Sequence, residues 1–129
     1  MKLRFLALAA LSLLFFSCIE QKQEGVSLVN PTLFEQQSQA SDVQLVDVRT
    51  PEEYAEGHLP NAVNMNISDV SFDAKIATLD KTKPVMVYCK MGGRSAKAAA
   101  KLKEAGFTTV TDLEGGIVNW KSEDKPIEN

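Results

Sequence analysis

The sequence has 129 residues, of which 44% are hydrophobic and 24% are charged, with seven glycines, five prolines and two cysteines. This composition excludes a collagen-like or disordered chain, a disulfide-dense miniprotein and a multi-pass membrane protein, and the length suits one domain with a short appendage. The formal net charge of −3 at pH 7 argues against nucleic acid as a partner, because nucleic acid binds basic surfaces.

The N-terminal segment has the pattern of a secretory signal peptide. Lys2 and Arg4 precede an apolar stretch over 5–16, which is shorter than the roughly 20 residues that a membrane-spanning helix needs. The sequence then turns polar. We therefore expect residues 1–17 to be a signal peptide that is removed from the mature chain.

The end of this segment resembles a bacterial lipoprotein signal, in which a small residue precedes a cysteine that receives lipid. Ser17 is the small residue and Cys18 the cysteine, although Phe15 and Phe16 depart from the usual pattern. The resemblance implies lipidation of Cys18, a tether over 18–25 and an exported protein held by its lipid on a membrane of the periplasm or cell envelope. An uncleaved anchor and simple secretion are the alternatives.

From residue 26 onward, short apolar runs alternate with helical patterns, which predicts a single α/β domain over 26–129 with a mainly parallel sheet. Caps and glycines punctuate the pattern, as in the capping box that begins at Thr50 and the glycine at position 57. The predicted strands are 26–29, 43–48, 62–66, 85–88 and 107–113, and the predicted helices are 31–37, 51–57, 72–79, 95–105 and 117–122.

Two groups of polar residues follow predicted strands. Asp47 and Arg49 come at the end of one strand, and Cys89 directly follows the most apolar one. Ligands of parallel sheets bind outside the carboxyl ends of the strands, so both groups are candidates for a site. An aspartate that ends a buried strand most often binds nearby backbone N–H groups or pairs with an arginine, so we predict a structural role for this pair.

Residues 89–95, here named the Cys89 loop, read Cys-Lys-Met-Gly-Gly-Arg-Ser and connect this strand to a predicted helix. Backbone N–H groups at a helix N-terminus can converge on one point, two glycines allow the tight curvature, and Lys90 and Arg94 add positive charge. Such surroundings favour a thiolate over a thiol and would bind an oxyanion or an anionic persulfide.

If Cys18 carries lipid, Cys89 has no partner for an internal disulfide, so it is either buried and inert or free and reactive. One histidine and one unlipidated cysteine cannot form a zinc tetrad, and we expect no metal and no cofactor.

Several blocks of this sequence occur in a distinctive order and spacing. They are Leu45-Val46-Asp47-Val48-Arg49, Glu53-Tyr54, Gly57-His58-Leu59-Pro60-Asn61-Ala62-Val63-Asn64, Tyr88-Cys89-Lys90-Met91-Gly92-Gly93-Arg94-Ser95 and Leu113-Glu114-Gly115-Gly116. Together they resemble the rhodanese-homology family over residues 26 to about 126, and the resemblance implies a rhodanese-like fold, which is a five-stranded parallel sheet with helices on both faces. Two departures are Asn61, where the family usually has glycine, and Ile117, where it usually has an aromatic residue.

The resemblance also implies sulfurtransferase chemistry, in which Cys89 takes a sulfane sulfur from a donor such as thiosulfate and passes it, as a persulfide, to cyanide or a thiol. Asp47 and Arg49 would brace the Cys89 loop, and His58 would be structural. The expected partners are small sulfur-containing anions and a thiol or protein sulfur acceptor, and we expect a monomer. The substrate-binding residues would be Lys90, Met91, Gly92, Gly93, Arg94 and Ser95.

Two other functions compete with this hypothesis. Thiol phosphatases and arsenate reductase-like enzymes also use a cysteine in an anion-binding loop, but phosphatases place an arginine six residues after the cysteine. Arg94 is five residues after Cys89, and Ser95 occupies the sixth position. A sulfur-carrier or binding module without catalytic activity is the second alternative, because one fold hosts many functions.

Overall fold

The structure is a computed structural model that describes residues 25–129. The predicted signal peptide 1–17, the predicted lipidation site Cys18 and all but the last residue of the tether 18–25 lie outside the described residues. No helix in the described part of the chain is long and apolar enough to cross a membrane.

Strands and helices alternate along the chain, and all five strands are parallel in one sheet of order β1-β5-β4-β2-β3. This confirms the predicted fold class. The strands are β1 (Val26–Val29), β2 (Gln44–Asp47), β3 (Val63–Asn64), β4 (Val85–Tyr88) and β5 (Val110–Leu113), and the helices are α1 (Pro31–Ser38), α2 (Pro51–Glu56), α3 (Phe72–Ile76), α4 (Gly93–Glu104) and α5 (Gly116–Ser122).

The sheet separates two apolar clusters, so helices cover both of its faces. Residues of α3 and α4 pack on one face around Val87 and Cys89, and residues of α1 and α5 pack on the other face around Met86 and Tyr88. Each strand of a parallel sheet sends alternate side chains to opposite faces. All four residues of β4 are buried. Cys89, which follows β4, therefore lies at the bottom of any site formed at the carboxyl ends of the strands.

The predicted capping box forms, and a second helix cap and a left-handed turn residue accompany it. Asn30 caps α1 by accepting a hydrogen bond from the Leu33 N–H at 2.9 Å. Thr50 and Glu53 form the capping box of α2, with the Glu53 N–H donating to Thr50 Oγ1 at 3.2 Å. Asn61 has a φ of 66°, in the left-handed region that asparagine tolerates.

Several predicted elements are shorter in the structure, and three of them differ most. β5 begins at Val110, not at residue 107, because Phe107 belongs to the end of α4, where its N–H donates to the Leu102 carbonyl at 3.1 Å. α3 ends at Ile76 because Thr78 closes a turn on the Lys75 carbonyl. β3 keeps two residues, and after it the Met65 and Ile67 N–H groups bond to carbonyls of 47 and 48, so the chain bends around the end of β2.

Candidate active site

The Cys89 loop leaves the carboxyl end of β4 and turns directly into α4. Cys89 is a free thiol with 1% of its surface exposed, and its Sγ accepts a hydrogen bond from the Gly92 N–H at 3.0 Å. Gly92 has a φ of +120°, which L side chains rarely adopt, so glycine is needed where the loop folds back over the sulfur. The sulfur therefore lies at the floor of a tight turn of backbone.

Three further N–H groups of the loop are left without a helical acceptor because α4 begins inside it. The N–H groups of Gly93, Arg94 and Ser95 open α4 and have no intrahelical acceptor. They are available to an anion at the helix N-terminus, where the dipole also favours negative charge. The loop can therefore hold a single anionic atom or group beside Cys89.

The carbonyl groups of the same loop are bonded elsewhere. The Cys89 and Lys90 carbonyls accept hydrogen bonds from the first turn of α5, at 2.9 Å from the Ile117 N–H and 3.1 Å from the Val118 N–H. The Gly92 carbonyl accepts from the Ala96 N–H at 3.1 Å. These three bonds fix the loop between α4 and α5.

This close approach of α5 depends on Gly116. Its φ is +62°, and a Cβ atom added there would overlap the Lys90 carbonyl group and lie 2.6 Å from the Cys89 carbonyl oxygen. The glycine pair after β5 therefore has a mechanical role, because it lets α5 reach the backbone of the Cys89 loop.

Ser95 is the polar side chain that contacts the sulfur. It is fully buried, and its Oγ lies 3.4 Å from Cys89 Sγ. In the thiol form the S–H group donates to Ser95 Oγ, while the serine hydroxyl donates to the Gly92 carbonyl at 3.2 Å. A rotation of this hydroxyl would allow it to donate to a thiolate.

The structure gives Arg94 a partner that we did not predict. Its guanidinium forms a bidentate ion pair with Glu53 of α2, with Nη1 2.6 Å from Oε1 and Nη2 2.9 Å from Oε2. Hydrogen bonds from Arg94 lower the pKa of Glu53 to about 2, and the Glu53 carboxylate in turn raises the pKa of Arg94. A charge interaction with Cys89 also raises the pKa of Arg94, by less than Glu53 does.

Lys90 and Met91 lie on the outside of the loop. Both side chains are exposed, and Met91 shows 70% of its surface to solvent. Their contribution to the loop, like that of Gly93, is backbone, and their side chains form the rim that an approaching molecule meets first.

Asp47 and Arg49 form a buried ion pair behind the loop. Arg49 Nη2 lies 2.7 Å from Asp47 Oδ2 and also donates to the Gly57 carbonyl at 2.7 Å. The Tyr88 hydroxyl donates to Asp47 Oδ2 at 2.7 Å, so the pair is attached to the residue that precedes Cys89. Burial raises the pKa of Tyr88, and Asp47 raises it further. The pKa of Arg49, which burial alone would lower, is raised by its hydrogen bonds and charge interaction with Asp47.

His58 takes part in the local structure of its own turn. Its Nδ1–H donates to the Tyr54 carbonyl at 3.0 Å, and its ring stacks on the Tyr54 ring with the centroids 3.8 Å apart. This arrangement agrees with the structural role that the resemblance implies.

A cavity of about 480 Å³ lies on the other face of the sheet and includes no residue of the Cys89 loop. Leu45, Leu59 and Trp120 line its floor, and Glu35 lies at its rim. We assign the active site by the chemistry of the Cys89 loop, because no cysteine, histidine or arginine lines this cavity.

Sequence reasoning missed Asp112 of β5. This carboxyl group is buried, with 4% of the residue exposed, and its Oδ1 has no hydrogen-bond partner. Burial raises the pKa of Asp112 to about 6, although the Ser95 hydroxyl and the Leu113 N–H lower it in part. The one signal in the sequence was an acidic residue inside an otherwise apolar and β-branched run.

Comparison with known proteins agrees with this geometry. The profile of the family described as Rhodanese-like domain matches residues 30–123, which is more than half of the chain. The chain belongs to the rhodanese-like domain family. The Cys89 loop therefore occurs in a chain of the family that its sequence resembles.

Relatives in this family carry names that describe sulfur transfer. The chain is 34% identical over 96 residues to a protein of Allochromatium vinosum named Sulfurtransferase, covering 74% of this chain and 88% of the relative. It is 38% identical over 81 residues to the Thiosulfate sulfurtransferase GlpE of Coxiella burnetii, covering 63% of this chain and 74% of the relative. A crystal structure of a rhodanese-related protein from Thermoplasma volcanium has a TM-score of 0.68 and 32% identity, and the match covers 79% of this chain and 97% of that one.

Proposed function

We propose that the protein is a sulfurtransferase of the thiosulfate type that works through a persulfide on Cys89. The observation that carries the proposal is the position of Sγ, at the floor of a loop whose Gly92 N–H donates to it and whose helix N-terminus favours negative charge. Relatives named as sulfurtransferases support the assignment.

In the loading step, the Cys89 thiolate attacks the outer sulfur of thiosulfate. The Sγ–S bond forms as the S–S bond of thiosulfate breaks, and the electron pair leaves with sulfite. The product is a persulfide whose terminal sulfur carries the negative charge. The N–H groups of Gly93, Arg94 and Ser95 are suited to stabilise this charge, because donors fixed by the fold need no reorganisation.

In the discharge step, cyanide or a thiolate attacks the terminal sulfur. The bond between this sulfur and Sγ breaks, and its electron pair returns to Sγ, so that the Cys89 thiolate is restored. The Gly92 N–H, 3.0 Å from Sγ, stabilises the leaving thiolate. No net proton is taken up when cyanide is the acceptor.

Two observations favour this reaction over phosphate-ester hydrolysis. The loop places Arg94 five residues after Cys89, and the guanidinium is bound by both oxygens of Glu53. A phosphatase needs such an arginine to contact the oxygens of its phosphate. The backbone donors that are left suit one transferred sulfur atom better than a tetrahedral phosphate.

The test is to incubate the purified protein with thiosulfate and to measure its intact mass, then to add cyanide and assay thiocyanate. We expect one added sulfur atom on Cys89 and thiocyanate release. The two cysteines give a matched pair of variants: Cys89→Ser should lose both signals, and Cys18→Ser should keep both. A protein that gains no sulfur and forms no thiocyanate would overturn the proposal, and turnover of an aryl phosphate would favour the phosphatase.

We further propose that the mature chain is tethered to a membrane by lipid on Cys18 and meets its sulfur anions and its thiol or protein acceptor outside the cytoplasm. The signal-like pattern of 1–17 supports this location. In cell fractionation the wild-type protein should sediment with membranes and the Cys18→Ser variant should become soluble. Equal partitioning of the two proteins would contradict the tether.

A further inference from the structure

Asp112 lies on the same side of the sheet as Cys89. In the strand register Asp112 is paired with Val87 of β4, and Cys89 follows Val87 by two residues. Val110, two residues before Asp112, packs in the cluster that contains Val87 and Cys89. Because side chains alternate along a strand, the Asp112 carboxyl projects to the α4 side, beside the floor of the Cys89 loop.

This carboxyl group is anomalous for a buried group. Asp112 Oδ1 is the one buried side-chain nitrogen or oxygen atom without a hydrogen-bond partner among residues 25–129. Buried polar atoms of native proteins are almost always bonded, and an unpartnered one often marks a functional site. Neither the fold nor the two steps proposed above use this group.

Ser95 connects Asp112 to the sulfur. Its Oγ is 3.4 Å from Cys89 Sγ and its hydroxyl donates to the Gly92 carbonyl at 3.2 Å, and hydrogen bonding from the same hydroxyl keeps the pKa of Asp112 below the value that burial alone would give. A serine hydroxyl has one proton to donate. An ionised Asp112 competes with Sγ for this proton, whereas with a neutral Asp112 the competitor is the uncharged Gly92 carbonyl, and rotation of the hydroxyl lets it donate to a thiolate at Sγ.

We propose that Asp112 is a positioning residue of the sulfur-transfer reaction: through Ser95, its neutral form supports negative charge on Cys89 Sγ, and its ionised form opposes that charge. The inference rests on the proposed function. Its effect belongs mainly to the discharge step, in which the Sγ–S bond breaks and its electron pair moves from the terminal sulfur to Sγ, toward Asp112.

Burial raises the pKa of Asp112 to about 6, so the carboxyl changes its charge between pH 5 and pH 7.5. Its neighbours in register are apolar, Leu28 from β1 and Val87 from β4. On α4, Lys97 is exposed, and the described residues show no ion pair to Asp112. The other charged or titratable groups of α4 and its loop are Cys89 itself, the exposed Lys90 and Glu104, Arg94 paired with Glu53, Lys101 paired with Asp73, and Lys103 bonded to the Phe107 carbonyl.

The first test is the rate at which iodoacetamide alkylates Cys89 in wild type and in Asp112→Asn, at pH 5 and pH 7.5. At pH 5 the side chain at position 112 is neutral in wild type and in the variant, so the two alkylation rates should agree. Equal rates also show that the variant is folded. At pH 7.5 the variant should react faster, by about tenfold for a like charge removed from a buried neighbour. Glu123→Gln, which removes an exposed carboxylate, should leave the rate unchanged at both pH values.

A ratio between Asp112→Asn and wild type that is the same at the two pH values would overturn the proposal, because a merely structural effect does not follow the charge of Asp112. The route through Ser95 is tested by the same substitution in a Ser95→Ala background. There the gain at pH 7.5 should shrink to less than threefold. An undiminished gain would show that Ser95 does not carry the effect.

The second test follows the discharge step directly, by mixing the isolated Cys89 persulfide with cyanide and recording thiocyanate. Asp112→Asn should discharge faster than wild type above pH 6 and equally at pH 5. Equal rates at every pH would overturn the inference while leaving the sulfurtransferase assignment in place. If no persulfide can be prepared, the proposed function fails, and the alkylation result still decides whether Asp112 controls the charge on Cys89.

Discussion

Asp47 binds four donors with one carboxylate. Its oxygens accept from the Arg49 N–H, from Nε and Nη2 of the same side chain, and from the Tyr88 hydroxyl. A fully paired buried charge is tolerated, but removing one partner leaves the other charge uncompensated. This carboxylate is therefore a structural support for the residue next to the nucleophile.

Replacing Asp47 by asparagine should lower the free energy of unfolding by about 3–5 kcal/mol, because the Arg49 guanidinium would stay buried without its counter-charge. Urea denaturation measures this change. Tyr88→Phe removes a hydroxyl but no charge, and its loss should be about 1–3 kcal/mol. A cost for Asp47→Asn no larger than that for Tyr88→Phe would contradict the role of the ion pair.

Individual residues differ in how far sequence alone predicts their contacts. The capping role of Glu53 was predictable from Thr50, three residues away, because both groups belong to one helix end. Its ion pair with Arg94 spans 41 residues and exists only because α2 packs near the start of α4. The sequence therefore suggested Arg94 as a cation of the loop but gave no sign of its carboxylate partner.

The Glu53–Arg94 ion pair links α2 to the helix that begins in the Cys89 loop. The pKa of Glu53 falls from 4.5 to about 2 on folding, so the pair stabilises the fold above pH 4.5 and this stabilisation is lost as the pH falls toward 2. Glu53→Gln should be less stable than wild type at pH 6, by no more than about 2 kcal/mol because both side chains are partly exposed. The difference should disappear in thermal melts near pH 2, and a difference that persists there would exclude the ion pair as its cause.

The contact between α5 and the Cys89 loop makes a separate prediction. Gly116→Ala should lower the free energy of unfolding by more than about 1 kcal/mol, because the new Cβ meets the loop backbone and the residue has a positive φ. It should also slow persulfide formation by moving the loop.

Gly93 is the matched control for stability, since a Cβ at this position meets nothing within 4 Å and its backbone is helical. Gly93→Ala should leave stability unchanged or raise it by about 0.5–1 kcal/mol. Urea denaturation measures both variants. Equal changes in the free energy of unfolding for Gly116→Ala and Gly93→Ala would contradict the role of Gly116 in the contact between α5 and the loop.

The arrangement of the whole domain was predictable in part. The alternation of apolar runs and helical patterns identified ten elements in the correct order, because each element must bury one face. The strand order was not predicted, since the pairing of β1 with β5 joins residues 84 positions apart, such as Val26 and Val110. Element ends were the weakest predictions, because Phe107 is apolar enough for a strand but packs at the end of a helix.

Asp112 also affects the stability of the entire domain. Its pKa rises from 3.8 to about 6 on folding, so the unfolded chain ionises first and stability falls as the pH rises from about 4 to 6. Asp112→Asn should not show this loss. At pH 7.5 it should be more stable than wild type by about 1–3 kcal/mol, and at pH 4 the two should agree. If the difference in free energy of unfolding between Asp112→Asn and wild type were the same at pH 4 and pH 7.5, the cost of burying the ionised carboxylate would be contradicted.

Hydrogen bonds from α4 and α5 to the carbonyls of residues 89, 90 and 92 turn those oxygens away from the sulfur. The groups left to interact with the reacting sulfur are backbone N–H dipoles, whose positive ends neither titrate nor bind counter-ions from the medium. Attraction for sulfur oxyanions at the loop should therefore persist in alkaline buffers and in high salt, where a site made of lysine side chains would weaken. The backbone of the loop is therefore expected to select the sulfur anion, and the exposed side chains of Lys90 and Met91 are left to contact the acceptor.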